Sequence, residues 1–140
     1  MITRTLTSAV VEAVRAVPDP ELAGVGIGDL GLVHEVRVDV TGAVDVDLIP
    51  TFLGCPALGV IERDVRDAAG AVPGTGPVAV RFVTEPAWTP ARISERGRRQ
   101  LAELGIAVAT GRTRLVSVTC PVCGAARLRP VSEVGPTACR

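Results

Sequence analysis

Cys55 lies in the run Pro50-Thr51-Phe52-Leu53-Gly54-Cys55-Pro56-Ala57-Leu58, and the pattern of the chain changes across it. Before it, Val44, Val46 and Leu48 alternate with Asp45 and Asp47, the two-residue period of a half-buried strand. After it, Leu58, Ile61, Val65 and Ala68 recur at helical spacing. Pro56 suits a first helical turn, where its missing N–H breaks no bond. Cys55 is therefore expected at or beside a helix N-cap, facing unpaired N–H groups and the positive end of the helix dipole. That setting favours the thiolate, the form that attacks electrophiles and binds metals. The plain alternative is a small buried apolar residue, a common fate of cysteine.

A second thiol group is Cys120-Pro121-Val122-Cys123-Gly124. Two thiolates two residues apart, followed by a small residue, can grip one tetrahedral metal through a tight turn. Cys139 follows after residues 124–138, a spacing that suits the third ligand of a four-cysteine ribbon. No fourth cysteine follows in this sequence, which leaves a water, a cysteine from a second subunit, or nothing at all at the fourth position. Asp19-Pro20-Glu21 places two carboxylates around a rigid proline; alone this is an ordinary solvated turn. Two carboxylates beside a thiolate would disfavour it unless a metal or cationic partner joined them.

His34 shares its strand parity with Val36 and Val38 and is expected on the core side, as a hydrogen-bonded structural residue or as the base of a Cys–His pair. Arg92, Arg96, Arg98 and Arg99 form a basic cluster, either a solvated helix face or a docking patch for an acidic partner. Gly26-Ile27-Gly28-Asp29-Leu30-Gly31 matches the dinucleotide-binding G-x-G-x-x-G by letter. That mechanism needs the loop to follow a strand and open a helix. Here it follows a helix ended by Pro18 and opens a strand, so its glycines serve a turn instead.

These residues hang on a regular succession of elements. Thr7 or Ser8 is expected to cap a first helix whose inner face carries Leu6, Val10, Val14 and Val17. Pro18-Asp19-Pro20 ends it, since a residue before proline is pushed out of helical space. Strands over 32–40 and 44–49 are joined by the tight turn Thr41-Gly42 as a hairpin. A helix follows Cys55 to about residue 69, then a strand over 78–83. Ser94 caps a last helix that runs through Leu104 and stops at Gly105. The order α-β-β-α-β-α predicts a two-layer α+β domain over residues 1–106, with a small mixed sheet and helices on one face. Residues 107–115 are expected to form a linker and 116–140 a ribbon-like tail.

Composition narrows the function. The chain has 140 residues, 47% of them hydrophobic, with two Phe, one Trp and no Tyr, so its core is built from aliphatic side chains. The formal net charge is zero, which argues against coating nucleic acid or an anionic membrane. No segment is long and apolar enough to span a bilayer, and the N-terminal apolar run is broken by Glu12 and Arg15, unlike a signal peptide. A cytoplasmic location is expected, where four cysteines point to metal binding or reactivity in preference to a disulfide framework.

Taken together, Asp19-Pro20-Glu21, Asp29-Leu30-Gly31-Leu32-Val33 and Thr51 through Cys55-Pro56 resemble the iron–sulfur assembly family of SufT-type and cytosolic iron–sulfur targeting factors. More narrowly, the run from Pro50 to Ala57, Pro86-Ala87-Trp88-Thr89 and the Cys120–Cys123 tail resemble its PaaD (PaaJ) branch, which serves phenylacetyl-CoA ring epoxidation. The resemblance implies an iron–sulfur assembly-type domain and an accessory role, not turnover of a small substrate. The client would be an iron–sulfur or di-iron protein of a multicomponent oxygenase. It implies Cys55 as the reactive residue or transient cluster ligand, with Asp19, Glu21 and Thr51 around it, and zinc or another metal at Cys120, Cys123 and Cys139. One cysteine cannot fill a tetrahedral iron site, so a homodimer or the client must supply other ligands. Two other readings stand beside it: a cysteine-nucleophile acyl-transfer enzyme with His34 as base, and a non-catalytic structural component of the oxygenase.

Overall fold

Strands that are apolar on one face only must have that face covered. A computed structural model, describing residues 2–51, 53–108 and 119–126, shows how this is met. Helix α1 spans Ile2–Arg15, strand β1 Val33–Val38, β2 Val44–Leu48, helix α2 Ala57–Gly70 and β3 Val78–Phe82; a single 3₁₀ turn, Pro90–Arg92, precedes helix α3, Glu95–Glu103. The sheet order is β1-β2-β3, with β1 antiparallel and β3 parallel to β2. This is the expected small mixed sheet of an α+β domain.

The register sets the two faces. Val36 pairs with Val46 and Val38 with Val44, while Val46 pairs with Val80 and Leu48 with Phe82. These side chains point toward α1 and α2, which pack on the sheet and on each other. Val10, Val14, Val46, Leu48 and Val65 are fully buried between the layers. Each such residue contributes about 1.5–3 kcal/mol by leaving water, so the aliphatic interior is sufficient without aromatics. The opposite face carries a charge ladder. Asp47 on the central strand is held by Arg37 of β1 at 2.9 Å and Arg81 of β3 at 2.6 Å, and Arg37 also meets Glu35. The hairpin turn is closed by Asp39, whose carboxylate accepts from the Thr41 N–H and hydroxyl and the Ala43 N–H, which hold its pKa down.

Two expectations are corrected here. Helix α1 begins at Ile2, upstream of Thr7 and Ser8. Their hydroxyls donate to the carbonyls of Thr3 (2.8 Å) and Arg4 (3.1 Å), the interior mode for hydroxyl side chains in helices. His34 is exposed and off the core side. Val33 opposes Leu48 and Glu35 opposes Asp47, so His34 is the extra residue of a bulge that breaks the two-residue parity. By contrast, Ser94 caps α3 as expected, its Oγ accepting from the Gly97 N–H at 3.0 Å, and Gly105 follows with φ +79°.

The Asp47 ladder gives a pH-dependent test. The hydrogen bond from Arg37, ahead of the burial that opposes it, holds the Asp47 pKa below its ordinary 3.8. A carboxylate with a depressed folded-state pKa stabilises fully above its unfolded value, and loses that contribution as pH falls through the folded one. Asp47→Asn should lower stability by about 1 kcal/mol near pH 7 and flatten the acid limb below pH 3.8. Urea midpoints across that range measure both.

Candidate functional site

The parallel strands β2 and β3 end level with each other, Leu48 opposite Phe82. Beyond them the Ile49 N–H donates to the Leu32 carbonyl and the Val83 N–H to the Leu48 carbonyl, both at 2.7 Å. Residues 49–51 and 53–56 lie between these strand ends and the start of α2. In open sheets with parallel strands, the crevice outside the carboxyl ends is where sites form. Pro56 is the N-cap, with φ −62° and ψ −21°, so Cys55 stands one residue outside the helix, its carbonyl accepting from the Leu58 N–H at 3.2 Å. Its side chain is buried at 9% exposure. The structure records Cys55 as disulfide-bonded. Thiol chemistry here therefore begins with reduction.

Cys55 lines a cavity of about 380 Å³ together with Thr51, Asp19 and Glu21. All four residues singled out around the reactive position thus meet at one site. They do not close into a ligand shell: among the described residues no group of three or more His, Cys, Asp or Glu is gathered closely enough to hold a metal ion. Asp19 shows why. Its Oδ1 accepts from the backbone N–H groups of Glu21 (2.8 Å) and Leu22 (3.0 Å), and its own N–H donates to the Val25 carbonyl (2.8 Å). One carboxylate oxygen is spent on shaping the loop, and the exposed Glu21 stands at its rim.

The rest of the cavity is apolar, and much of its wall comes from residues 88–108. That segment is strapped to the 24–33 loop by side chains reaching backbone carbonyls. Trp88 Nε1 donates to Leu30 at 2.8 Å, Arg92 Nε to Gly31 at 2.9 Å, and Gln100 Nε2 to Gly24 at 3.1 Å. Ser94 Oγ donates to Asp29 Oδ1 at 2.6 Å, and Arg96 pairs with Asp29 Oδ2 at 3.2 Å. The close approach requires glycine at two points. Gly31 has φ +76°, and a Cβ there would lie 2.5 Å from the Arg92 carbonyl oxygen; a Cβ on Gly97 would lie 2.7 Å from the Asp29 carbonyl oxygen. The glycines of the G-x-G-x-x-G letters therefore serve packing and turn geometry, with Gly28 tight against Arg15.

Other expected residues are placed elsewhere. His34 does not line the cavity, so no Cys55–His34 pair is assembled. Of the arginine cluster, Arg92 and Arg96 are engaged in the straps. Cys120 and Cys123 are free thiols on a tight turn, closed by Gly124 N–H to Cys120 (2.9 Å) and Cys120 N–H to Ala125 (2.9 Å), with Gly124 at φ +73°. Backbone N–H groups of Cys123 and Val122 facing the Cys120 sulfur hold its pKa below the usual thiol range. Cys139, the expected third ligand, lies outside the described residues. Sequence reasoning missed the cavity walls: Phe82, Trp88, Ile93 and Leu101 were not singled out for the site. The scarcity of aromatics was the available signal, because two of the three in the chain, Phe82 and Trp88, stand at this cavity.

This domain with its strand-end cysteine belongs to the iron–sulfur cluster assembly protein family, whose pattern matches residues 7–82. Within it, the chain is similar to an Escherichia coli (strain K12) protein named as a component of 1,2-phenylacetyl-CoA epoxidase: 34% identity over 128 residues, covering 89% of this chain and 76% of that one. It is also similar to the Fe-S protein maturation auxiliary factor YitW of Bacillus subtilis (strain 168), with 35% identity over 64% of this chain and 86% of the other. A solved domain of unknown function from Bacillus anthracis superposes with a TM-score of 0.66 at 32% identity, covering 72% of this chain and 95% of that one.

The glycine requirement is directly testable. Gly31→Ala should destabilise the chain by about 2 kcal/mol or more, through both the positive φ and the clash with Arg92. Gly59→Ala, in α2 with nothing within 4 Å of the added Cβ, should be neutral or stabilising by up to about 1 kcal/mol. Denaturant midpoints of the two variants make the comparison.

Proposed function

We propose that this chain is an accessory maturation factor that helps assemble or insert an iron–sulfur or iron centre into a multicomponent phenylacetyl-CoA epoxidase. The observation that carries the reading is the placing of Cys55 and Thr51 above the ends of the parallel strands, with Asp19 and Glu21 on the same cavity. Once Cys55 is reduced, one thiol and two carboxylates, that of Asp19 partly committed, supply a fraction of a coordination shell. Such a partial shell suits cargo that is handed on, with the remaining ligands coming from a client or a second copy of the chain. The family membership and the names of the similar proteins support the same role. The chain then acts without turning over a small substrate itself, as a homodimer or in a complex with its client, in the cytoplasm. Asp19 both shapes the loop and presents its second oxygen; Glu21 stays solvated at the rim, available to a partner.

The acyl-transfer alternative loses support, because its base, His34, is exposed and away from the cavity. For zinc, the described residues offer two thiols on one knuckle, Cys120 and Cys123, half of a tetrahedral set. A bound zinc would tie the tail together as a structural element and take no part at Cys55.

Metal and sulfide analysis of reduced protein purified without oxygen tests this reading. Iron with acid-labile sulfide is expected to associate with the chain or its client complex. Cys55→Ala should lower iron loading of the epoxidase on the order of tenfold, the scale seen when a metal site loses a supporting group. Full client loading by Cys55→Ala would overturn the reading. Zinc that is lost from Cys120→Ser/Cys123→Ser with Cys55 function intact would assign the tail a separate structural metal.

A further inference from the structure

The cavity has a volume, a wall chemistry and a charge pattern that maturation of a metal centre does not call for. About 380 Å³ is more than twice the roughly 150 Å³ of an apolar cavity that takes up benzene, and lies within the range of small-molecule sites. Most of its walls are aliphatic and aromatic, including Leu30, Phe82, Trp88, Ile93 and Leu101. The aromatic placement is selective: the main core is aliphatic, yet Phe82 and Trp88, both half-buried, stand at this cavity. The indole N–H donates to the Leu30 carbonyl at 2.8 Å, which orients the ring along the wall.

The wall is also composite. The residues that match the family pattern end at 82, whereas Trp88, Pro90, Ile93, Leu101, Ile106 and Val108 all lie beyond that point. The segment after the residues that match the family pattern thus supplies one wall of the crevice above the strand ends, making a half-open chamber. Its charge is one-sided. Among the described lining residues, Asp19 and Glu21 carry negative charge and none carries positive charge. The N-terminus of α2 adds only about half a unit of positive charge against two carboxylates.

We propose that this chamber is a binding site for a small aryl or branched-alkyl molecule carrying a neutral or cationic hydrogen-bond donor, and that it discriminates against a carboxylate of the same size. The ring or branched body fills the space between Trp88, Ile93 and Leu101. The donor end faces Asp19, Glu21 and Thr51 at the rim. The site goes beyond the maturation role and needs neither metal nor client.

Trp88 is the single tryptophan of the chain, so its emission reports on the chamber directly. The probes are 3-phenylpropylamine, 3-phenylpropanol and 3-phenylpropanoate, which share one body and differ in charge. Titrated into the full reduced chain at low salt, the amine and the alcohol should shift Trp88 emission saturably. The acid should bind about fivefold or more weakly than the amine, the scale of one to two carboxylates at an exposed rim. Asp19→Asn/Glu21→Gln should bring amine and acid to within about twofold, the asparagine keeping the carbonyl acceptor that closes the loop. Ile93→Phe, which fills the chamber, should abolish binding of all three; if it does not fold, the charge-swap pair still decides. No saturable shift with any probe, or an acid that binds as tightly as the amine, would overturn the proposal. Because no metal or client is present, either outcome leaves the test of maturation separate.

Discussion

The parallel pairing of β2 with β3 is the constraint on which the rest of the molecule depends. Parallel neighbours cannot be joined by a tight turn, so the chain must leave the sheet, travel back along it and re-enter. It does so as α2, and the apolar residues Ile61, Val65 and Ala69 of that helix are the ones buried. The crossover puts the start of α2 beside the ends of both parallel strands. Cys55 owes its position to that geometry more than to its immediate neighbours. The antiparallel hairpin of β1 and β2 then widens the sheet enough to take α1 on the same face.

Covering only one face leaves the other to water, and the chain deals with this electrostatically. Asp47 lies directly opposite Arg81 and is reached diagonally by Arg37, whose own strand partner is Asp45, so the uncovered face is held together by alternating charge across three strands. Asp47 is the central member and the only one shielded from solvent, its side chain 10% exposed against 37% and 60% for its partners. The ladder also explains part of the zero net charge: acidic and basic side chains are placed to face one another.

How much of this was legible depends on the range of the interaction. The strands could be read because Val36, Val38, Val44 and Val46 obey a two-residue period that reports directly on burial. Cys55 could be read because the period changes across it. His34 misled because a bulge inserts one residue, and parity arguments fail at a bulge. The start of α1 misled because Thr7 and Ser8 are good caps, yet the chain upstream also supports helix. The walls of the cavity left no periodic trace. Trp88, Arg92, Ser94 and Gln100 act through single contacts to backbone carbonyls or to Asp29, and such contacts have no repeat to detect. Gly31 and Gly97 were visible as glycines, but only the fold shows that they are the points where two segments nearly touch.

The straps also bear on the order in which the molecule is made. They join residues 58 to 76 positions apart, while the β1–β2 hairpin is closed by neighbours in sequence. Chains emerge from the ribosome N-terminus first, and closing a long loop is entropically costlier than closing a short one. All the strands of the sheet and the two helices that cover it are therefore synthesised before residue 88. The segment that lines the crevice is made after them, and its Ile93 and Leu101 join the same core. The surroundings of Cys55 are thus drawn from both the early and the late parts of the chain, and a truncation before residue 88 would leave its crevice without Trp88, Ile93 and Leu101.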